Sequence, residues 1–252
     1  MKRSRWTRAV IAAGLGLALV GCAEPVREPP RKTAAPAEAH GWSRTPRIES
    51  ARTSAGGLVV TGSAEPGGRV VLRSGAGAAH AAVADSRGAF EVRIPAAEGH
   101  LLLRPETQMG QEAAVSPDRL LILDGGRGPV AVLRPGGPTR RLDRTPALGA
   151  VDSDGRMVMA SGRAESPDRP VEVSGGGVAT RVQPAPDGRW SVLLPATPGD
   201  TFTIGEAEFV WPGPVGTGPN ELQAEQSSGG WRVGWSGPDG ARQWTWLPAA
   251  TS

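Results

Sequence analysis

Short segments in which apolar and polar residues alternate are the strongest signal in this 252-residue chain. The segment 89–94 alternates Phe, Val and Ile with charged residues, and the segment 190–194 spaces Trp, Val and Leu in the same way. A two-residue period places alternate side chains on opposite faces of a β-strand. Long helical periodicities are absent, and 36 glycines and 24 prolines supply turns between the segments. The pattern therefore predicts an all-β fold built from many short strands.

The same pattern gives approximate bounds for the strands. In the first half it predicts strands at 47–50, 57–64, 69–73, 79–84, 89–94, 100–104, 119–123, 130–134 and 139–142. In the second half it predicts strands at 156–160, 171–174, 180–183, 190–194, 201–204, 231–235 and 243–246. Residues 151–155, with Asp, Ser and Gly, are predicted as a turn.

One β-rich unit occurs twice, with an offset of 100 positions. The identical pairs are Gly62/Gly162, Ala64/Ala164, Glu65/Glu165, Arg69/Arg169, Val71/Val171, Gly88/Gly188, Val92/Val192 and Pro95/Pro195. The tripeptide Arg-Thr-Pro at 44–46 and again at 144–146 extends the match upstream. A fixed period indicates two copies of one structural unit. We expect domains at 45–143 and 144–252, each of about 100 residues.

The repeated string also resembles a known family. Gly-x-Ala-x-Pro-Gly, then Asp-x-x-Gly-x-Phe-x-Val-x-Ile-Pro, is similar to bacterial immunoglobulin-like domains over about 45 residues of each copy. The resemblance implies two tandem immunoglobulin-like β-sandwiches, each of the seven-strand type and about 100 residues long. The second copy departs from the pattern at Glu165-Ser-Pro-Asp, which replaces the Glu65-Pro-Gly-Gly turn.

The excess of basic over acidic side chains arises from the segment before Cys22. The whole sequence carries a formal charge of +3 and a pI near 9.9. Lys2, Arg3, Arg5 and Arg8 precede Cys22 in a segment without acidic residues, so 24 of the 28 basic side chains remain beyond it, against 25 acidic ones. Nucleic-acid binding needs basic charge clustered on the folded domain, and we therefore expect no nucleic-acid partner.

The first 21 residues have the form of a secretory signal peptide. A basic start is followed by the apolar run 9–20 and by the small residue Gly21. The run is shorter than the roughly 20 residues that a membrane-spanning helix needs. Cys22 is the only cysteine, so no internal disulfide is available.

The segment Leu19-Val-Gly-Cys22 resembles the lipobox of bacterial lipoproteins. The resemblance implies cleavage before Cys22, diacylglycerol on its thiol and a fatty acid such as palmitate on the new amino terminus. Ala23 rather than Asp at the next position implies sorting to the outer membrane, facing the periplasm or the cell surface. Residues 22–44 are rich in proline and poor in apolar side chains, which predicts a disordered tether.

The densest aromatic stretch is a predicted hairpin near the end of the sequence. Trp231 and Trp235 lie on one segment, Trp244 and Trp246 lie on the next, and Gly237-Pro-Asp-Gly separates them. We expect all four rings to share one face. They either fill the core of the last sheet, since each indole buries 150–250 Å², or form an exposed stacking platform for cell-wall glycans.

The remaining candidates for chemistry are weak. Asp152-Ser-Asp-Gly resembles the start of a calcium loop but lacks the bidentate Glu that would complete it. His40, His80 and His100 have no partners at metal-ligand spacing. No Gly-x-Ser-x-Gly motif occurs, and the glycine clusters lack the Lys-Ser/Thr of phosphate-binding loops. We expect no catalytic site, metal or cofactor.

The sequence thus favours a non-catalytic, lipid-anchored protein of the cell envelope. It would act as a structural or protein-interaction module, with the membrane bound through the lipid on Cys22 and with an envelope protein or a wall polymer as partner. The alternative is binding of wall peptidoglycan or polysaccharide through Trp231, Trp235, Trp244 and Trp246.

Overall fold

The computed structural model describes residues 44–216 and 220–249, which belong to one compact unit. These residues are all-β, as predicted, with a single turn of 3₁₀ helix at Asp124–Gly126. The predicted signal peptide at 1–21, Cys22 and nearly all of the predicted tether lie outside the described residues.

The first half forms a β-sandwich of two antiparallel sheets. Its strands are β1 (Arg47–Ser54), β2 (Gly57–Ser63), β3 (Arg69–Ser74), β4 (Ala79–Val83), β5 (Ala89–Pro95), β6 (Leu101–Met109), β7 (Glu112–Val115), β8 (Arg119–Ile122), β9 (Val130–Leu133) and β10 (Arg140–Arg141). One sheet has the order β1-β2-β5, and the other has the order β10-β9-β8-β6-β3-β4, with β7 paired to β6. The inward residues of both sheets, among them Val60, Leu72 and Phe90, form the first core.

The second half forms another sandwich of the same kind. Its strands are β11 (Leu148–Ser153), β12 (Val158–Arg163), β13 (Val171–Gly175), β14 (Val178–Val182), β15 (Arg189–Leu194), β16 (Thr201–Ile204), β17 (Ala207–Val210), β18 (Leu222–Ser227), β19 (Gly230–Ser236) and β20 (Arg242–Pro248). Its sheets have the orders β15-β12-β11-β20-β19-β18 and β14-β13-β16-β17. Val173, Trp190 and Phe202 lie in the second core between them.

The predicted duplication is confirmed by equivalent local geometry. A bulge interrupts β1 between Ile48 and Ser50, and a bulge interrupts β11 at the positions 100 residues later. In the turns before β5 and β15, Gly88 accepts a backbone hydrogen bond from Ala64 at 2.8 Å, and the pair 100 residues later has the same distance. Phe90 and Trp190 are both buried at equivalent places in their cores.

The two halves differ in where their last strands pair. In the first sandwich β8 and β9 extend the sheet from β6, whereas in the second β20 joins β11 on the opposite sheet. The composition of the first strand explains the difference. β1 has polar residues such as Glu49 and Arg52 at exposed positions, which suits an edge strand. β11 is apolar and almost fully buried from Leu148 to Val151, which suits a strand paired on both sides.

A third core joins the two sandwiches. β8 and β9 are buried on both faces, because alternate residues point into the first core and into a cluster shared with the second sandwich. The first sandwich supplies Leu102, Leu121, Leu123, Ala131 and Leu133 to this cluster, and the second supplies Ala150, Trp231, Val233, Trp235 and Leu247. Four sheets are thus stacked across three cores. The continuous apolar run Leu120–Leu123 is typical of a strand buried on both faces.

The predicted strands all have counterparts, with shifted ends. Four strands were not predicted: β7, β11, β17 and β18. β7, β17 and β18 each lie at the margin of a sheet and have few buried positions, so their apolar patterns are weak. β11 is buried inside its sheet. The predicted turn at 151–155 begins later than expected, because β11 continues to Ser153.

Candidate functional site

The predicted tryptophan hairpin exists, but its rings do not share a face. β19 and β20 pair so that Trp231 lies opposite Leu247, Gly234 opposite Trp244, and Arg232 opposite Trp246. Because Ser236 pairs with Arg242, the loop contains five residues rather than the four of the predicted turn. A one-residue change of register moves a whole strand's side chains to the other face. The expectation that all four rings share one face is therefore wrong.

Three of the four rings are core residues. Trp235 is 1% exposed, Trp246 is 3% exposed and Trp231 is 9% exposed, while Trp244 is partly buried. Trp231 and Trp235 pack in the third core, and Trp246 packs in the second. The core interpretation is confirmed for these three. An aromatic platform for glycans requires exposed rings, and these three rings are not exposed.

A buried polar chain crosses the junction between the sandwiches. Trp235 Nε1 donates to Thr245 Oγ1 at 3.2 Å, and Thr245 Oγ1 donates to Asp152 Oδ1 at 2.7 Å. From the first sandwich, Thr139 donates its backbone N–H and its hydroxyl to the same carboxylate, at 2.7 and 2.6 Å. Burial raises the pKa of Asp152 to about 6, although the hydrogen bonds from Thr139 and Thr245 oppose the shift. Asp152 therefore fastens the two halves together.

Asp154, the other acid of the predicted calcium-like turn, has a different role. Its Oδ1 accepts hydrogen bonds from the backbone N–H groups of Arg156 and Met157, at 2.8 and 3.0 Å. These bonds stabilise the carboxylate and lower the pKa of Asp154. The turn interpretation is confirmed for Asp154, whereas Asp152 belongs to a strand and to the junction.

A cavity lies where the two sandwiches meet, and arginines line it. Its volume is about 450 Å³, and its walls include the three-stranded sheet of the first half and strands β12 and β15 of the second. The arginines that line it are Arg47, Arg134, Arg140, Arg141, Arg163 and Arg189. We call this cavity the arginine cleft. Among the described residues, two carboxylates, Glu49 and Asp143, line it as well.

Two of these arginines are held rigidly by β10. Arg141, whose side chain is 5% exposed, makes a bidentate ion pair with Asp143 at 2.7 and 2.5 Å and donates to the carbonyl oxygens of Pro248 and Gly149. Arg140 donates to the carbonyl oxygens of Ile48 and Glu49. These contacts fix both guanidinium groups at the base of the cleft.

Arg140 is a largely buried arginine of the cleft that has no carboxylate partner among the described residues. Its hydrogen bonds within the described residues go to carbonyl oxygens and not to a carboxylate. Burial, followed by repulsion from Arg189, Arg47 and Arg134, lowers the pKa of Arg140 to about 10. The guanidinium stays protonated at neutral pH and adds a positive charge to the wall of the cleft.

The remaining arginines are more open to solvent. Arg134 pairs with Asp118 at 3.4 Å, and Arg189 pairs with Asp187 at 2.7 Å. Arg47 and Arg163 are exposed and form no ion pair with any other residue that the structure describes. Exposed ion pairs contribute little and exchange easily, so these side chains are free to turn toward a ligand.

The cleft was not predicted from the sequence. Its arginines are spread from position 47 to position 189, and only the packing of the two halves brings them together. The one local clue is the dipeptide Arg140-Arg141, which lies immediately before the predicted domain boundary.

The other predicted candidates have structural roles where the structure describes them. The ring of His100 lies edge-on to Trp231 with centroids 5.1 Å apart, and its Nδ1 accepts a hydrogen bond from the N–H of Asp124 at 3.1 Å. His80 lies on β4. Residues 44–216 and 220–249 contain no group of three or more His, Cys, Asp or Glu side chains arranged to hold a metal. Cys22 and His40 lie outside these ranges.

Within the part of the chain that the structure describes, no helix is long and apolar enough to cross a membrane. Comparison with protein-family models finds no match, and comparison with curated protein sequences finds no significant one.

Proposed function

We propose that this chain is a non-catalytic, lipid-anchored protein of the cell envelope that acts as a rigid interaction module. The observation that carries the proposal is the third core, in which Leu121 and Leu133 of one sandwich pack against Trp231 and Trp235 of the other. Large, hydrophobic contacts between domains suppress relative motion. The module therefore offers a partner one fixed surface built from both sandwiches.

Polar contacts at the junction fix the orientation of one sandwich relative to the other. Arg141 of the first sandwich binds the carbonyl oxygens of Gly149 and Pro248, and Asp152 binds Thr139. Hydrogen bonds fix direction as well as distance, because donor and acceptor must align. A module used only as a flexible spacer would not need such contacts.

The anchor rests on the leader and on Leu19-Val-Gly-Cys22. Multiple acyl chains hold a protein firmly to a bilayer, since each buried CH₂ contributes about 0.8 kcal/mol. The Cys22→Ser variant should therefore lose its lipid and leave the membrane fraction. Ala23→Asp is the matched variant: it keeps the thiol, and it should stay lipidated but shift to the inner membrane. Membrane retention of Cys22→Ser at the level of the unaltered protein would contradict the anchor.

The interaction function is tested by crosslinking in intact envelopes followed by purification of the full chain. We expect a reproducible crosslinked partner that weakens in Leu121→Ala, because this change loosens the third core. Val83→Ala is the control, since Val83 is 67% exposed and lies on a different strand. Crosslinks no different from those of an unrelated lipid-anchored protein would overturn the proposal.

A further inference from the structure

We propose that the arginine cleft binds a small oligoanion that carries at least two phosphate or carboxylate groups. The site is built by both sandwiches, with Arg47 and Arg140 from the first and Arg163 and Arg189 from the second. The proposal is independent of the lipid anchor and of the location of the protein, because it rests only on the geometry of the described residues.

The size of the cleft suits a small ligand. Ligand pockets in proteins span about 300–1,000 Å³, and the cleft has a volume of about 450 Å³. Its walls come from β1 and β10 on one side and from β12 and β15 on the other, so a bound molecule would contact both sandwiches. The rigid junction keeps this space open without a ligand.

The charge of the cleft determines the class of ligand. Asp118 and Asp187 pair with Arg134 and Arg189, which leaves Arg47, Arg140 and Arg163 without a carboxylate partner among the described residues. Two carboxylates line the cleft, and one of these, Asp143, is already neutralised by Arg141. The other, Glu49, accepts a hydrogen bond from Ser63 at 2.9 Å. Like charges gathered in a cleft repel one another and focus the electric field there. An anion between the arginines would relieve this repulsion.

The chemistry of the side chains adds a preference for forked acceptors. Guanidinium groups present planar pairs of N–H donors that match the oxygen spacing of phosphate and carboxylate. Arg163 and Arg189 are cross-strand partners in the β12–β15 ladder, so they stand side by side on one wall. Two adjacent guanidinium groups on one wall, together with Arg47 from the other sandwich, favour a ligand with more than one anionic group.

A long nucleic acid fits these observations less well. It needs a basic face that extends over the domain, whereas beyond position 22 the chain has 24 basic and 25 acidic side chains. The six arginines of the cleft are a local cluster rather than an extended basic face. The ligand is therefore small. Whether its anionic groups are phosphates or carboxylates is identified by comparing how tightly the two kinds of anion bind.

The proposal is tested by titration calorimetry on the full chain in detergent at low salt, with tripolyphosphate and citrate as probes. We expect saturable binding of at least one probe that weakens as salt is raised. Arg163→Gln and Arg189→Gln should each weaken it about tenfold, because each removes a charge-assisted hydrogen bond to the anion. Tighter binding of tripolyphosphate assigns the site to phosphates, and tighter binding of citrate assigns it to carboxylates.

Arg93→Gln is the matched control, since it removes the same charge from an exposed position outside the cleft. Circular dichroism spectra of the variants should match that of the unaltered chain, because the substituted side chains lie at the surface or the rim. No saturable binding of either probe would overturn the proposal. Equal losses in Arg93→Gln and Arg163→Gln, or a DNA oligonucleotide that binds as tightly as the probes, would overturn it as well.

Discussion

Two glycines show how single residues encode the duplication. A Cβ at Gly62 would lie 2.1 Å from the carbonyl oxygen of Arg47 and 2.7 Å from the ring of Phe90. At Gly162 it would lie 2.4 Å from the carbonyl oxygen of Ala147 and 2.7 Å from the ring of Trp190. Each sandwich thus seats its large aromatic ring over a glycine. The sequence identity Gly62/Gly162 reflects this shared packing.

Gly62→Ala should destabilise the protein by about 1–3 kcal/mol, because overpacking forces backbone and ring to shift. Gly56→Ala is the matched control, since a Cβ there meets nothing within 4 Å. Urea denaturation followed by tryptophan fluorescence measures both. If the two variants are equally stable, the packing role of Gly62 is wrong.

Asp152 should make stability depend on pH. The pKa is raised from 3.8 to about 6 in the folded protein, so between these values the unfolded chain ionises first and stability falls as pH rises. Above about pH 6 the folded protein must hold a buried carboxylate, and the accumulated loss is up to about 3 kcal/mol. Asp152→Asn removes this titration.

The measurement is the free energy of unfolding of both proteins in urea at pH 4, 5, 6 and 7. We expect the unaltered protein to lose stability relative to Asp152→Asn as pH rises. Surface carboxylates such as Asp85 and Asp154 have lowered pKa values, so their contribution to stability increases as pH rises. This contribution is the same in both proteins and cancels when their free energies of unfolding are subtracted. A difference that stays constant from pH 4 to pH 7 would show that Asp152 does not titrate in this range.

At the scale of elements, the tryptophans of the hairpin β19–β20 contribute unequally to the stability of the fold. Trp235 is fully buried and donates a hydrogen bond to Thr245, whereas Trp244 is partly buried on the opposite face. Trp235→Ala should cost about 3–5 kcal/mol, as is usual for a buried aromatic residue, and Trp244→Ala should cost less than half of that. Chemical denaturation of the two variants measures the order. Equal costs would contradict the observed register.

The strands also show what the sequence can predict. β5 and β15 alternate apolar and polar residues clearly, and both were predicted. β18 has no clear alternation because it pairs with only one neighbour and buries little. The register of β19 and β20 depends on a loop of five residues, which composition does not define. The arginine cleft depends on packing between residues more than 100 positions apart, so no local pattern encodes it.

At the scale of the whole molecule, the third core should make the two sandwiches unfold together. Leu121 is fully buried between them. Calorimetry should therefore show a single transition for the unaltered protein and two transitions for Leu121→Asp, which places a charge in that core. Val83→Asp is the control and should keep one transition. Two transitions in the unaltered protein would contradict mechanical coupling of the halves.

The position of β20 has a consequence for biosynthesis. β20 leaves the ribosome after every other strand that the structure describes, yet it lies between β11 and β19 in the interior of its sheet. Without it, the second sandwich lacks the strand that joins β11 to β19, and the third core lacks Leu247. Chains truncated before β20 would expose an apolar surface that chaperones and proteases recognise. The cell can therefore distinguish complete chains from truncated ones.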